Sequence, residues 1–245
     1  MTDPAEKTVL VLQGGGALGA YQAGAYEALA MAGHMPSWVA GISIGAVNSA
    51  IIAGNPPEKR IERLREFWER VSSRLLAWPL SNVDNSRRVF NEMSATLSAV
   101  GGVPGFFEPR VPPAVFQPQG TPEAISVYDT NPLKETLLEL VDFDLLNSGA
   151  VRLSVGAVQV ISGNMKYFDT AKQFVGPEHV MASGALPPGF PPIEIDNEPY
   201  WDGGYSGNPT LWPMIDRRST RDLIVVQLVP DQVDSAPTDA TSIRH

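Results

Sequence analysis

The stretch Val9–Gly24 reads VLVLQGGGALGAYQAG. An apolar run meets three glycines, and a segment of helix formers follows. Strand, tight turn and helix in that order form the opening unit of a parallel α/β sheet. Gly14, Gly16 and Gly19 also satisfy G-x-G-x-x-G, the spacing of a loop that wraps a phosphate. Backbone amides at such a turn attract negative charge of several kinds, so the question is which charge this loop serves.

A dinucleotide site needs an acid about 20 residues further on, at the end of the second strand, to bind the ribose. Here Glu27 lies within the first helix, the next acid is Glu58, and none stands near Val39–Ile42. No Gly-Lys-Ser/Thr follows the loop either, so the P-loop reading fails. Nucleotide binding survives only as a weak alternative.

Outward from the loop the pattern continues. Trp38–Ile42 reads as a second strand and Gly45–Ala53 as a helix of small residues. In NPPEKRIERLREFWERVSSRLL, Asn55 reads as a helix N-cap with Pro56 or Pro57 in the first turn. Ile61, Leu64, Phe67, Trp68, Val71 and Leu75 then form one apolar stripe. A helix is expected over Pro132–Leu140, and VRLSVGAVQV with MKYF reads as a strand pair. IEIDNEPYW gives two short strands around Asp-Asn, and LIVVQLV a strand buried on both faces. The fold class is therefore α/β: a three-layer α/β/α sandwich on a mainly parallel sheet, filling one domain over 1–230. The Pro- and Gly-rich stretch 78–128, with Trp78, Phe90, Met93, Leu97, Phe106 and Phe107, reads as an insert. It is either a lid over the site or an ordinary packed cap. Residues 231–245 read as a mobile tail.

The second strand ends in Gly41-Ile42-Ser43-Ile44-Gly45, a G-x-S-x-G elbow. Its glycines allow a sharp turn that lifts Ser43 to the start of a helix, where amides and the helix dipole favour developing negative charge. A serine nucleophile needs a base, and the three histidines suit that role poorly. His34 falls in a short loop, His179 at a helix start, and His245 ends the chain. The better candidate is Asp202 in YWDGGYSGN, after a short strand and before two glycines. An Asp-Gly hairpin turn would explain the same residues without chemistry. As a base, Asp202 needs a dry pocket to raise its pKa, for which Trp201, Leu186 and Phe190 are the apolar neighbours at hand.

Taken together, GGGALG at 14–19, GISIG at 41–45, ASGALPPGFPP at 182–192 and DGG at 202–204 resemble the patatin-like phospholipases. The resemblance implies a lipid acyl hydrolase with Ser43 as nucleophile and Asp202 as base. It also implies an oxyanion hole built from the amides of Gly14, Gly15, Gly16 and Ile44, with Gly41 and Gly45 shaping the elbow. Family members often carry Arg or Lys where this chain has Leu18, so charge support for the oxyanion is reduced. They also often continue beyond the strand at 223–229. A non-catalytic lipid-binding or interaction protein on the same scaffold is the alternative.

The remaining composition narrows the partners. A net charge of −9 argues against nucleic acid and against electrostatic attraction to anionic lipid. Contact with a membrane surface, expected transiently through the 78–128 insert, would then be apolar. No cysteine is present, no acidic loop of EF-hand type occurs, and the histidines lack paired spacing, so neither metal nor cofactor is expected. The polar start MTDPAEKT is unlike a signal peptide, and a cytoplasmic location, peripheral at membranes, is expected. Oligomeric state and natural substrate are not legible.

Overall fold

The computed structural model describes residues 8–73, 100–210, 212–215 and 222–229. Strand β1 (Thr8–Leu12) leads through a 3-10 turn at Gly16–Gly19 into helix α1 (Ala20–Met31). Strand β2 (Trp38–Gly41) follows, then α2 (Ile44–Ala53) and α3 (Arg60–Ser72). A small antiparallel pair, β3 (Glu108–Pro109) and β4 (Tyr128–Asp129), precedes α4 (Asn131–Leu140) and α5 (Phe143–Asn147). The chain continues as β5 (Arg152–Gln159), β6 (Met165–Asp169), α6 (Pro177–Ser183), β7 (Ile193–Ile195) and β8 (Glu198–Asp202). A short helix α7 (Trp212–Ile215) and strand β9 (Asp222–Val226) complete it.

The main sheet runs β7-β8-β5-β2-β1-β9, with β6 also on β5. Its β9, β1, β2 and β5 are mutually parallel, while β6, β7 and β8 are antiparallel to their neighbours. The protein thus has the expected α/β architecture, a central sheet flanked by helices. Alternation along β1 sorts its side chains to opposite faces. Leu10 and Leu12 enter the large core beneath the helices, whereas Val9 and Val11 join Trp38 and Ala40 on the other face, against Trp212. Every residue of α2 is buried, so its small side chains let it lie close under the sheet.

Two local expectations are corrected. Helix α3 begins at Arg60, not at an Asn55 cap. Asn55 is buried and donates instead to the carbonyls of Ile51 (2.9 Å) and Leu140 (2.7 Å), tying α2 to α4. Strand β9 is not buried on both faces. It is the outermost strand of the described sheet, with Leu223 and Ile224 half-buried and Val225 exposed. On the α3 stripe, Leu64 and Phe67 are fully buried and Ile61, Trp68 and Val71 pack against the core; Leu75 lies outside the described residues.

The register of β5 is what positions the site. Ser154 and Val155 pair with β2 and β6 at once, and Ala157 and Val158 with β6 and β8 at once. It follows that β2 and β8 share one edge of β5. They approach along it from opposite directions, β2 ending with Gly41 opposite Val155 and β8 ending with Asp202 opposite Ala157. Between them only Gly156 is unpaired on that edge.

Candidate active site

The elbow forms as its glycines require. Cβ atoms at Gly41 or Gly45 would fall inside the backbone of Gly45 or Leu12. Ser43 itself has φ 55° and ψ −125°, a conformation natural to glycine and strained for serine. Its hydroxyl lies beside the Asp202 carboxyl, close enough to favour the ionised form. The two residues marked in the sequence are therefore brought to one place.

Asp202 is only 4% exposed. Its amide donates to the Ala185 carbonyl (2.9 Å), and its Oδ1 accepts the Gly204 N–H (2.7 Å). Burial pushes the carboxyl pKa above its ordinary value, against the opposing pull of the Gly204 amide and the Ser43 hydroxyl. Phe190 belongs to an aromatic cluster with Phe106, Phe107 and Tyr128, and Leu186 is half-exposed. Trp201 alternates to the opposite side of the strand. Next to Asp202 the backbone is tightly packed, and a Cβ on Gly203 would collide with the Gly156 carbonyl oxygen.

The glycine loop faces the same point. A Cβ on Gly14 would stand 2.9 Å from the Ser43 Cβ. Both ends of the loop are held from below by buried amides. Gln22 Nε2 donates to the Gln13 carbonyl (2.6 Å), and Asn48 Nδ2 donates to the Gly19 carbonyl (3.0 Å) and to Gln22 Oε1 (2.9 Å). Trp68 Nε1 completes the set on Asn48 Oδ1 (3.1 Å). From the side, Asn208 grips the Gly14 peptide in both senses: Gly14 N–H donates to Oδ1 (2.7 Å), and Nδ2 donates to the Gly14 carbonyl (3.0 Å). The Gly14 amide, one of four expected oxyanion donors, is thus already engaged. Those of Gly15, Gly16 and Ile44 have no acceptor among the described residues.

A family model described as patatin-like phospholipase matches residues 10–215. The chain belongs to the patatin-like phospholipase family. Among solved structures it is similar to VipD from Legionella pneumophila, at 18% identity and a TM-score of 0.48. That match covers 84% of this chain and 47% of VipD, so the chain spans about half the length of that relative. No curated protein matches.

As a member of this family the chain carries Leu18 in its glycine loop, where the resemblance implied a basic residue in many members. Leu18 is exposed there, so the loop presents an apolar side chain to its surroundings. Neither described histidine takes part. His34 is exposed, and His179 is buried on α6 with Nδ1 accepting the Gly176 N–H (2.9 Å) and its ring against Phe168. His245 lies outside the described residues, as does the part of the insert holding Trp78, Phe90, Met93 and Leu97. Phe106 and Phe107 are packed rather than free: Phe106 against Phe67, Phe107 against Tyr128. Among the described residues no three His, Asp or Glu are grouped as ligands of a metal ion would be, and no described helix is long and apolar enough to cross a membrane.

Sequence reasoning missed Asn208, Gln22 and Asn48. Asn208 stood in view in YWDGGYSGN, six residues after the aspartate, but nothing in that spacing says that it reaches back to residue 14. Gln22 and Asn48 could have been suspected as polar residues in otherwise apolar helical stretches, where a buried amide needs partners.

Proposed function

We propose that this protein is a serine acyl hydrolase that cleaves carboxylic ester bonds of lipids. The observation that carries the reading is the register on β5, which ends the strands before Ser43 and at Asp202 against each other and sets the Ser43 hydroxyl beside a buried carboxyl whose pKa is raised. Ser43 Oγ attacks the ester carbonyl as its proton passes to Asp202. The carbonyl π pair moves onto oxygen, and amides of Gly15, Gly16 and Ile44 stabilise that oxyanion. Collapse breaks the ester C–O bond, and the Asp202 proton goes to the departing alkoxide. Water then repeats the sequence on the acyl-enzyme, its proton taken by Asp202 and returned to Ser43 as the fatty acid leaves. The reading needs no histidine, and the loop serves a transient oxyanion rather than a phosphate.

Lipid as substrate is supported by the family and by the surface near the site. Residues 111–122, VPPAVFQPQGTP, carry no charge, and Val111, Val115 and Phe116 are exposed by 89%, 79% and 74%. This projection is rooted beside the site: Val127 N–H donates to the Pro188 carbonyl (3.1 Å) and Tyr128 N–H to Gly189 (2.9 Å). It suits a cytoplasmic enzyme that touches a lipid surface through apolar side chains. A fluorophosphonate probe with an ester panel tests the whole. Labelling and hydrolysis that vanish in Ser43→Ala are expected; lipid binding without labelling would instead identify a non-catalytic binding protein.

A further inference from the structure

We propose that Ser183 is a positioning residue for Ser43, a reading that rests on the proposed nucleophilic role of that serine. At Gly156 the sheet has a break: β2 ends one residue short of it, opposite Val155, and β8, running the other way, ends one residue beyond, opposite Ala157. The Gly156 carbonyl on that edge has no strand partner. Ser183, at the end of α6 and fully buried, fills the gap. Its hydroxyl donates to the Gly156 carbonyl (2.6 Å) and accepts the Ser43 N–H (3.0 Å). The Ser183 carbonyl takes a second share of the same amide (3.1 Å).

This geometry needs a group that donates and accepts at once. Ser43 holds a backbone conformation unfavourable for serine, and such strain persists only where the surroundings over-determine it. The bond from its own amide to Ser183 acts where that strain is stored. Gly156 belongs to the strand that aligns both Gly41 and Asp202. Ser183 therefore fastens the nucleophile to the element that also places the base. Alanine at 183 would strand a buried carbonyl and leave Ser43 held on one acceptor alone.

Two measurements test this, one of them independent of activity. Ser183→Ala, shown to be folded by circular dichroism, is compared with the unaltered protein on a soluble p-nitrophenyl ester. A kcat about tenfold to a hundredfold lower with KM nearly unchanged is expected, since the substrate still binds but meets a misplaced hydroxyl. Hydrogen exchange at the Ser43 amide, read by NMR, should speed up about tenfold relative to neighbouring amides of α2. Ser183→Cys, which keeps volume and a weak donor, should fall between the two and serves if the alanine variant does not fold. A folded variant with unchanged kcat and unchanged Ser43 exchange overturns the proposal. If the unaltered protein shows no Ser43-dependent hydrolysis, the acyl-hydrolase reading falls, and amide exchange alone still decides whether Ser183 holds the elbow.

Discussion

Gly41 and Asp202 end their strands nose to nose on one edge of β5, opposite Val155 and Ala157. The meeting of Ser43 with Asp202 follows from that register, because the chain leaving Gly41 turns at once into the elbow. An aspartate delivered on an antiparallel strand meets a serine delivered on a parallel one.

Asp202→Asn should abolish hydrolysis and raise thermal stability at neutral pH. The folded protein holds the Asp202 proton more tightly than the unfolded chain does. The associated stability is complete below the unfolded value of about 3.9 and is lost as pH rises through the raised folded value. At neutral pH the buried charge is a cost that asparagine removes while keeping an acceptor for Gly204. Melting temperatures against pH should show the advantage shrinking in acid. The unaltered enzyme should lose kcat as pH falls through a value above the ordinary carboxyl range, with no histidine limb.

Ser43→Gly and Ser43→Ala should both be inactive yet differ in stability. Glycine occupies φ 55°, ψ −125° without strain and alanine does not. Glycine should therefore be more stable than alanine by about 1 kcal/mol or more in urea unfolding. Equal midpoints would mean that the elbow stores no strain.

Asn208→Asp tests the grip on Gly14. A protonated carboxyl offers one donor and one acceptor, as the amide does, whereas a carboxylate offers only acceptors to a carbonyl that needs a donor. The ratio of variant to unaltered kcat should be low at about pH 8 and rise only towards about pH 4, where the carboxyl protonates. Taking the ratio cancels the titration of Asp202. A ratio flat with pH would count against the clamp.

Asp169 lies outside the candidate site and should matter for folding alone. Burial by itself would raise its pKa, but Arg152 (2.6 Å), the Ala171 amide, Ser154 and Trp212 together hold it below the ordinary range. Its contribution is thus complete above the unfolded value and lost as pH falls below about 4. Asp169→Asn should cost about 3 kcal/mol at neutral pH by removing the buried carboxylate that Arg152, Ser154 and Trp212 share, with much less effect in strong acid.

Phe116→Ser combined with Val115→Ser should slow hydrolysis of esters in neutral phosphatidylcholine vesicles and spare a soluble short-chain ester. Since the projection carries no charge, added salt should not weaken vesicle binding. Equal losses on both substrates would remove the lipid-contact role.

What was legible in the sequence was local. The glycine turn, the elbow, the small-residue helix and the Asp-Asn hairpin each announce themselves within a few residues, because φ preferences and side-chain alternation act over that range. The family resemblance, confirmed by the model match over 10–215, joined them. What stayed hidden depends on register between distant segments. Ser183 at the end of a helix looks like any other serine until the break in the sheet at Gly156 is seen. The Asn55 cap failed because a tertiary acceptor, the Leu140 carbonyl, outbid the local helix start. Strand β9 looked buried because its composition is apolar, yet apolar residues are common on edges too.

The hairpin that brings Asp202 into place turns at Asp196 and Asn197, both left-handed and both exposed, at the end remote from the carboxylate. Its tip is therefore a natural splice point. A short epitope or fluorophore-bearing peptide inserted between those two residues would ride on the outside of the molecule while the chemistry at the other end ran undisturbed.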